Sequence, residues 1–216
     1  MVGMTPAELA AEILARAAAL PPPNTAGVRR IRREYSRRLA DRDIMPVARA
    51  LLRANAGGAG RWVAYELVQH NRAAMAAMRE KEVEEFGRGI ASWDQVDCFA
   101  CYIAGPAWHN GQLADRVIHR WARSSDRWWR RAAVVATVAL NCVARGGRGD
   151  TPRTLRVCQM LAGDRDDMVV KALSWALRAL SVRDPRAVRA FLAEHDVAPR
   201  VRREVGNKLR TGLKNP

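Results

Sequence analysis

Trp93 and Asp97 stand four residues apart, so on a helix they share one face, one turn from each other. Asp97 lies inside the apolar run Val96, Cys98, Phe99. Two readings are open for it: an exposed or capping carboxylate, or a carboxylate beside an indole wall, positioned to meet a cation. The chain has seven Trp against three Phe. Trp62, Trp93, Trp128, Trp129 and Trp175 fall near helix starts or beside charged residues. Core packing accounts for several of them, and Trp121 and Trp129 read as core. Metal chemistry finds little support. Cys98-Phe-Ala-Cys101 is a CxxC, but zinc needs two further ligands at matched spacing. Cys142 and Cys158 are isolated, and neither His109 nor His119 pairs with a Cys. The cysteines read as ordinary buried thiols, and neither a metal nor another cofactor is expected. Gly146-Gly-Arg-Gly149 reads as a linker rather than a phosphate-cradling loop.

A second kind of chemistry is charge. Lys plus Arg is 37 against 22 for Asp plus Glu, a formal charge of +15 on a chain of 216 residues. With 49% hydrophobic residues this is no disordered basic tail, but a folded globule with a positive surface. Such a surface expects a polyanion, nucleic acid or an anionic membrane. Six Arg crowd the ten residues from Arg29 to Arg38. On a helix, Val28, Ile31, Tyr35 and Leu39 form the buried stripe, leaving Arg29, Arg30, Arg33 and Arg37 outside. A second cluster gathers Arg200, Arg202, Arg203, Lys208 and Arg210. A solvated charged face explains one such helix; two clusters at this net charge favour phosphate contact. A membrane surface fits less well, because the apolar stripe is narrow and carries no Trp or Phe. No apolar run approaches the ~20 residues of a membrane helix. Glu8, Glu12 and Arg16 interrupt the N-terminal apolar residues, which read as an amphipathic helix starting at Thr5-Pro6 rather than a secretory signal. Cysteine usage points to the cytoplasm.

The elements that must position these residues are helices. Ala, Leu and Arg abound and β-branched alternation is nearly absent. Breaks are expected at Pro21 to Pro23, Ala56-Gly57-Gly58, Phe86 to Gly89, Gly105-Pro106, Gly146 to Asp150, Gly163, Asp184-Pro185 and Pro199. Ser92, Asp126, Asp164, Asp166 and Asp184 sit where helix caps belong. The segments Asp126–Leu140 and Asp166–Leu180 align without gaps at an offset of 40 residues, with Arg131 on Lys171 and Val135 on Trp175. Packing that suits a small Val does not by itself require an indole at Trp175. Each segment is followed by a second helix, near Thr154 to Leu161 and Ala187 to Glu194. Earlier helices are expected near Val28 to Leu39, Ile44 to Ala54, Trp62 to Met78 and Trp93 to Ile103. A period near 40 with a helix pair per unit is the mark of HEAT or armadillo-like repeats. The expectation is an all-α helical-repeat solenoid, one domain over residues 1–216 with about six helix pairs. Residues 1–24 form a divergent N-terminal helix and Pro-rich turn. Its concave basic face would hold a duplex.

Ser92-Trp-Asp-Gln-Val-Asp97, Trp128-Trp-Arg-Arg-Ala-Ala133 and Lys171-Ala-Leu-Ser-Trp-Ala-Leu-Arg178 together resemble the AlkD-type DNA alkylation-repair proteins. The resemblance runs from about Val28 to Leu209 and is strongest from Ile90 to Phe191. In that family an all-α HEAT-like solenoid wraps duplex DNA, and the enzymes excise cationic N3- and N7-alkylated purines. The resemblance places an active-site Trp and the catalytic Asp on Trp93 and Asp97. It also places a DNA-contacting Arg on Arg131 and a second lesion-facing Trp on Trp175. One departure is local: Ala26-Gly-Val-Arg-Arg30 lacks the Pro that the family's corresponding turn carries.

The implied chemistry is coherent. A purine that is already cationic leaves neutral and needs no protonation, so one carboxylate suffices where ordinary glycosidases use two. Asp97 would stabilise the oxocarbenium-like sugar and orient or deprotonate water. Trp93 and Trp175 would favour a cationic nucleotide, each contact being worth on the order of 0.5–2 kcal/mol. Arg131 would hold a phosphate beside the lesion. Arg29, Arg30, Arg33, Arg37, Lys171, Arg202, Arg203 and Lys208 would grip the DNA backbone. The expected function is a monomeric DNA glycosylase acting on double-stranded DNA that contains alkylated purines, in base excision repair. The alternative is a non-catalytic HEAT-like protein that binds damaged or unusually shaped DNA. A protein-interaction scaffold would explain the repeats, but neither the charge nor the site.

Overall fold

A computed structural model of the chain describes residues 4–21, 25–54 and 58–216. Pro22 and Pro23 of the expected Pro-rich turn, and Ala56 and Gly57 of the next expected break, lie outside these. Every regular element among the described residues is helical, as an all-α repeat protein requires. The chain divides into two compact units, Met1–Ala91 and Ser92–Pro216.

The first unit holds α1 (Pro6–Ala18), α2 (Thr25–Arg38), α3 (Asp41–Ala54), α4 (Gly58–Gln69), α5 (Arg72–Ala76) and α6 (Glu80–Gly87). α1 starts at the expected Thr5-Pro6. The Thr5 hydroxyl accepts from the Glu8 amide, and the Glu8 carboxylate accepts from the Thr5 amide at 2.7 Å, a reciprocal capping box. α3 packs between α1 and α4, burying Ile44, Val47, Ala48 and Leu51. α2 buries Val28, Ile31 and Tyr35 as its periodicity requires, while Leu39 falls just past its end. Where one helix was expected from Trp62 to Met78, there are two. Asn71 leaves the helical path and caps α5, its side chain accepting from the Ala74 amide at 2.8 Å and donating to Asp41 at 2.7 Å. α6 was not anticipated. Its first turn is closed by the Glu82 carboxylate accepting from the Arg79 amide.

The second unit holds α7 (Trp93–Phe99), a π-helical turn (Ala100–Ala104), α8 (Gly105–His109), α9 (Asp115–Ala122), α10 (Arg127–Asn141) and a 3-10 turn (Val143–Arg145). It continues with α11 (Thr151–Met160), α12 (Asp167–Leu180), α13 (Pro185–Glu194) and α14 (Pro199–Thr211). The 40-residue offset is real in space. α10 and α12 lie side by side, and their N-caps Asp126 and Asp166 accept from the Trp128 and Met168 amides at 2.8 and 2.9 Å. α10 is the core element, with every residue from Arg131 to Asn141 buried. Each Val or Leu among them contributes about 1.5–3 kcal/mol through burial.

The expected break at Gly105-Pro106 does not stop the chain's helical course. Pro106 has no amide hydrogen to offer the preceding turn. The π turn changes the register, with the Gly105 amide reaching back to the Ala100 carbonyl. Gly105 is needed here for space: a Cβ would lie 2.5 Å from that of Ala139 and 2.8 Å from the Ala136 carbonyl on α10.

Candidate active site

An aromatic cluster fixes α7 against α9 and α10. Phe99 packs on Trp121 at 5.9 Å and edge-on to Trp129 at 6.0 Å, and the two indoles sit 4.9 Å apart. Trp121 is buried as expected, while Trp129 joins the cluster from a half-buried position. Such pairs add about 0.5–1.5 kcal/mol beyond the area they bury. With Phe99 held there, Asp97 faces Arg131, two residues beyond Trp129.

The Asp97–Arg131 pair is bidentate. Arg131 Nε donates to Asp97 Oδ1 at 2.9 Å and Nη2 to Oδ2 at 2.8 Å. The remaining guanidinium nitrogen, Nη1, donates to the Met168 carbonyl in the first turn of α12. The arginine side chain is 7% exposed and the aspartate 17%. Burial raises the Asp97 carboxyl above its ordinary value, and the Arg131 guanidinium pulls in the opposite direction. Arg131 takes one lone-pair direction on each carboxylate oxygen, which leaves one on each for water or substrate. Arg131 is therefore engaged with protein at all three nitrogens, not projecting toward solvent as a phosphate-holding arginine would.

Trp93 is the first residue of α7 and is 58% exposed, one turn from Asp97. Ser92 caps the helix by position but makes no side-chain capping bond. Trp175 is half-buried on α12, on the helical stripe of Asp167 and Lys171. Among the described residues, no hydrogen bond or ring contact joins it to Asp97. Trp128 is half-buried with the Arg127 guanidinium 5.0 Å from its ring centre, and Arg127 reaches the Asp166 cap at 3.5 Å.

The expected phosphate contacts divide into two sets. Arg30, Arg33, Arg37 and Arg203 are exposed and form no ion pair among the described residues. The others are engaged. Arg29 donates to Glu66 at 3.3 Å and lies 5.7 Å from the Trp62 ring centre. Lys171 meets Asp167 at 2.5 Å. Arg202 donates to the Leu192 and His195 carbonyls at the end of α13, and Lys208 to the Gly212 carbonyl after α14. Periodicity identifies which face a cation is on; it does not show which carbonyl or carboxylate is within its reach.

Sequence reasoning missed Glu66 and Asp167. Glu66, only 4% exposed, sits among Arg29, Arg32 and the Trp62 indole. Its signal was the six arginines of α2, which need a counter-charge. Asp167 stands where the repeat alignment has Arg127, a reversal of charge between the two units of the repeat. Cys101 and Cys158 are buried, their thiols pushed up to about 12. Among the described residues, no group of three or more His, Cys, Asp or Glu is arranged to hold a metal ion. No described helix is long and apolar enough to cross a membrane.

Comparison with known proteins agrees with the all-helical fold. Residues 23–209 match the model of the DNA alkylation repair enzyme family, and the chain belongs to that family. A solved structure described as a predicted DNA alkylation repair enzyme from Enterococcus faecalis shares the fold. Its TM-score is 0.67 at 19% identity, over 94% of this chain and 96% of that one. No curated protein sequence matches the chain.

Proposed function

We propose that the protein is a DNA glycosylase that hydrolyses the N-glycosidic bond of cationic N3- and N7-alkylated purines in duplex DNA. Family membership supports DNA alkylation repair, and the observation that carries the finer reading is the Asp97 carboxylate. It is nearly buried, held at both oxygens by Arg131, and one turn from an exposed indole. In the proposed reaction the bond from C1′ to the base nitrogen breaks, and the bonding pair neutralises the cationic base. Asp97 stabilises the positive charge developing on the sugar. Water adds at C1′ and its proton passes to the carboxylate and on to solvent. Trp93 and Trp175 attract the cationic nucleotide through their ring faces. Arg131 acts first as a positioning residue, holding the carboxylate at one angle. The exposed arginines Arg30, Arg33, Arg37 and Arg203 contact phosphates. The enzyme works as a monomer in the cytoplasm, without metal or cofactor. Neutral damaged bases, which need an acid, are poor substrates. Incubation with methylated duplex DNA tests the reading through release of N7-methylguanine and N3-methyladenine. A wild-type chain that binds duplex but releases no base would leave a non-catalytic DNA-binding role.

A further inference from the structure

Asp167, the first residue of α12, is 60% exposed and is held by two cations from different helices. Lys171 Nζ lies 2.5 Å from its Oδ2, and Arg200 Nη1 of α14 lies 3.3 Å from its Oδ1. Arg200 is anchored independently, its Nε donating to the buried Glu204 at 2.9 Å. If Asp167 swings away, Arg200 therefore stays in place with Nη1 still directed at the vacated position. The next residue, Met168, gives its carbonyl to Arg131, so this corner adjoins the Asp97 pair. One turn beyond Lys171 along the same stripe is Trp175. Ion pairs this exposed add little to stability, so a competing anion opens them at small cost. A phosphodiester carries one negative charge shared by its two non-bridging oxygens, which accept from the same N–H donors as a carboxylate.

We infer that Asp167 occupies, in the DNA-free protein, the seat of a backbone phosphate formed by Lys171 and Arg200. The inference rests on the DNA-binding part of the proposed function. The occupant on binding is a phosphodiester of the duplex, and Asp167 must be displaced into solvent for it to enter. The carboxylate thus competes with the phosphate for the two cations, and makes Asp167 a brake on duplex binding.

The test is duplex affinity at about 100 mM salt for the full chain and its variants. Asp167→Asn is expected to tighten binding about two- to tenfold, from the release of two exposed pairs. Glu194→Gln, an equal change of charge on exposed α13, is the control for bulk electrostatics. In the Lys171→Gln background the gain from Asp167→Asn shrinks, because one of the two seat cations is gone. Asp167→Ser, which keeps a helix-start side chain, reproduces the gain if the asparagine variant folds poorly. A gain no larger than that of Glu194→Gln, or one undiminished by Lys171→Gln, overturns the seat while leaving DNA binding intact. A wild-type chain that shows no salt-dependent duplex binding overturns the DNA reading, and the seat with it.

Discussion

Two helices of this protein carry the same short pattern, a tryptophan followed four residues later by an acid: Trp62 and Glu66 on α4, Trp93 and Asp97 on α7. They do opposite things. Glu66 is 4% exposed, accepts the Trp62 indole N–H at 3.0 Å, and is neutralised by Arg29 and Arg32 at 3.3 and 3.2 Å. Every group in that cluster is satisfied by another, and the indole is held against its own helix. Asp97 pairs with an arginine from another helix, and Trp93 remains 58% exposed. A closed set of partners is structural, whereas a fixed carboxylate beside a free indole is available to a ligand. Spacing alone does not separate the two cases; burial and partners do.

Removing the closed cluster's carboxylate should have the largest effect. Glu66→Ala leaves Arg32, 12% exposed, and Arg29, 45% exposed, without their shared counter-charge, at a cost of about 1.5–3 kcal/mol to stability. Thermal unfolding would show this as a large fall in Tm. A Glu66→Ala chain with unchanged Tm would break the contrast from the structural side.

The cations of α2 sharpen it next. Neutralising Arg30, Arg33 and Arg37 together should lower the slope of log affinity against log salt by about 0.9 for each phosphate that no longer meets an arginine. Arg32→Gln should instead lower Tm and leave that slope nearly unchanged. Titrations of duplex DNA between 50 and 200 mM salt, with on the order of 10³-fold weakening for the wild type if six or more phosphates are contacted, provide the measurement.

The indoles come third. Trp93→Ala should slow release of cationic bases about 2- to 30-fold, the equivalent of one cation–π contact, with little change in Tm. Trp62→Ala should do the reverse. Equal reductions in rate for the two variants would remove the special standing of Trp93.

The smallest effect is the pH profile. Burial holds the Asp97 carboxyl above the ordinary aspartate value of 3.8. The ionised form is the active one, so kcat/KM should fall as pH drops through that raised value, at a higher pH than a solvent-exposed aspartate would give. Replacing Arg131 with Gln removes the opposing pull and should move this limb to still higher pH. A limb that stays in place in Arg131→Gln would dissociate the titration from the pair.

Much of the fold is legible in the sequence because its signals are local. The Thr5-Pro6 start and the Asp126 and Asp166 caps are each read from a few adjacent residues, and the 40-residue offset from two short segments laid side by side; each appears in the structure. What was not legible depends on distant partners. Asn71 splits one expected helix because Asp41 is there to receive it. Pro106 continues a helix because a π turn absorbs its missing donor. The signal for Glu66 lies outside its own apolar stretch, in the six arginines of α2 that need a counter-charge. At the site, the shared face of Trp93 and Asp97 follows from spacing. The union of Asp97 with Arg131, 34 residues away, depends on Phe99, Trp121 and Trp129 bringing α7 and α10 together.

The central claim is that Asp97 acts on charge that develops only as the glycosidic bond breaks. The most direct measurement is release of N7-methylguanine from methylated duplex by Asp97→Asn, alongside its affinity for the same duplex. The account predicts that base release falls by about 10²- to 10³-fold or more, while binding changes by no more than a few-fold. Release reduced no further than by Glu194→Gln would contradict it.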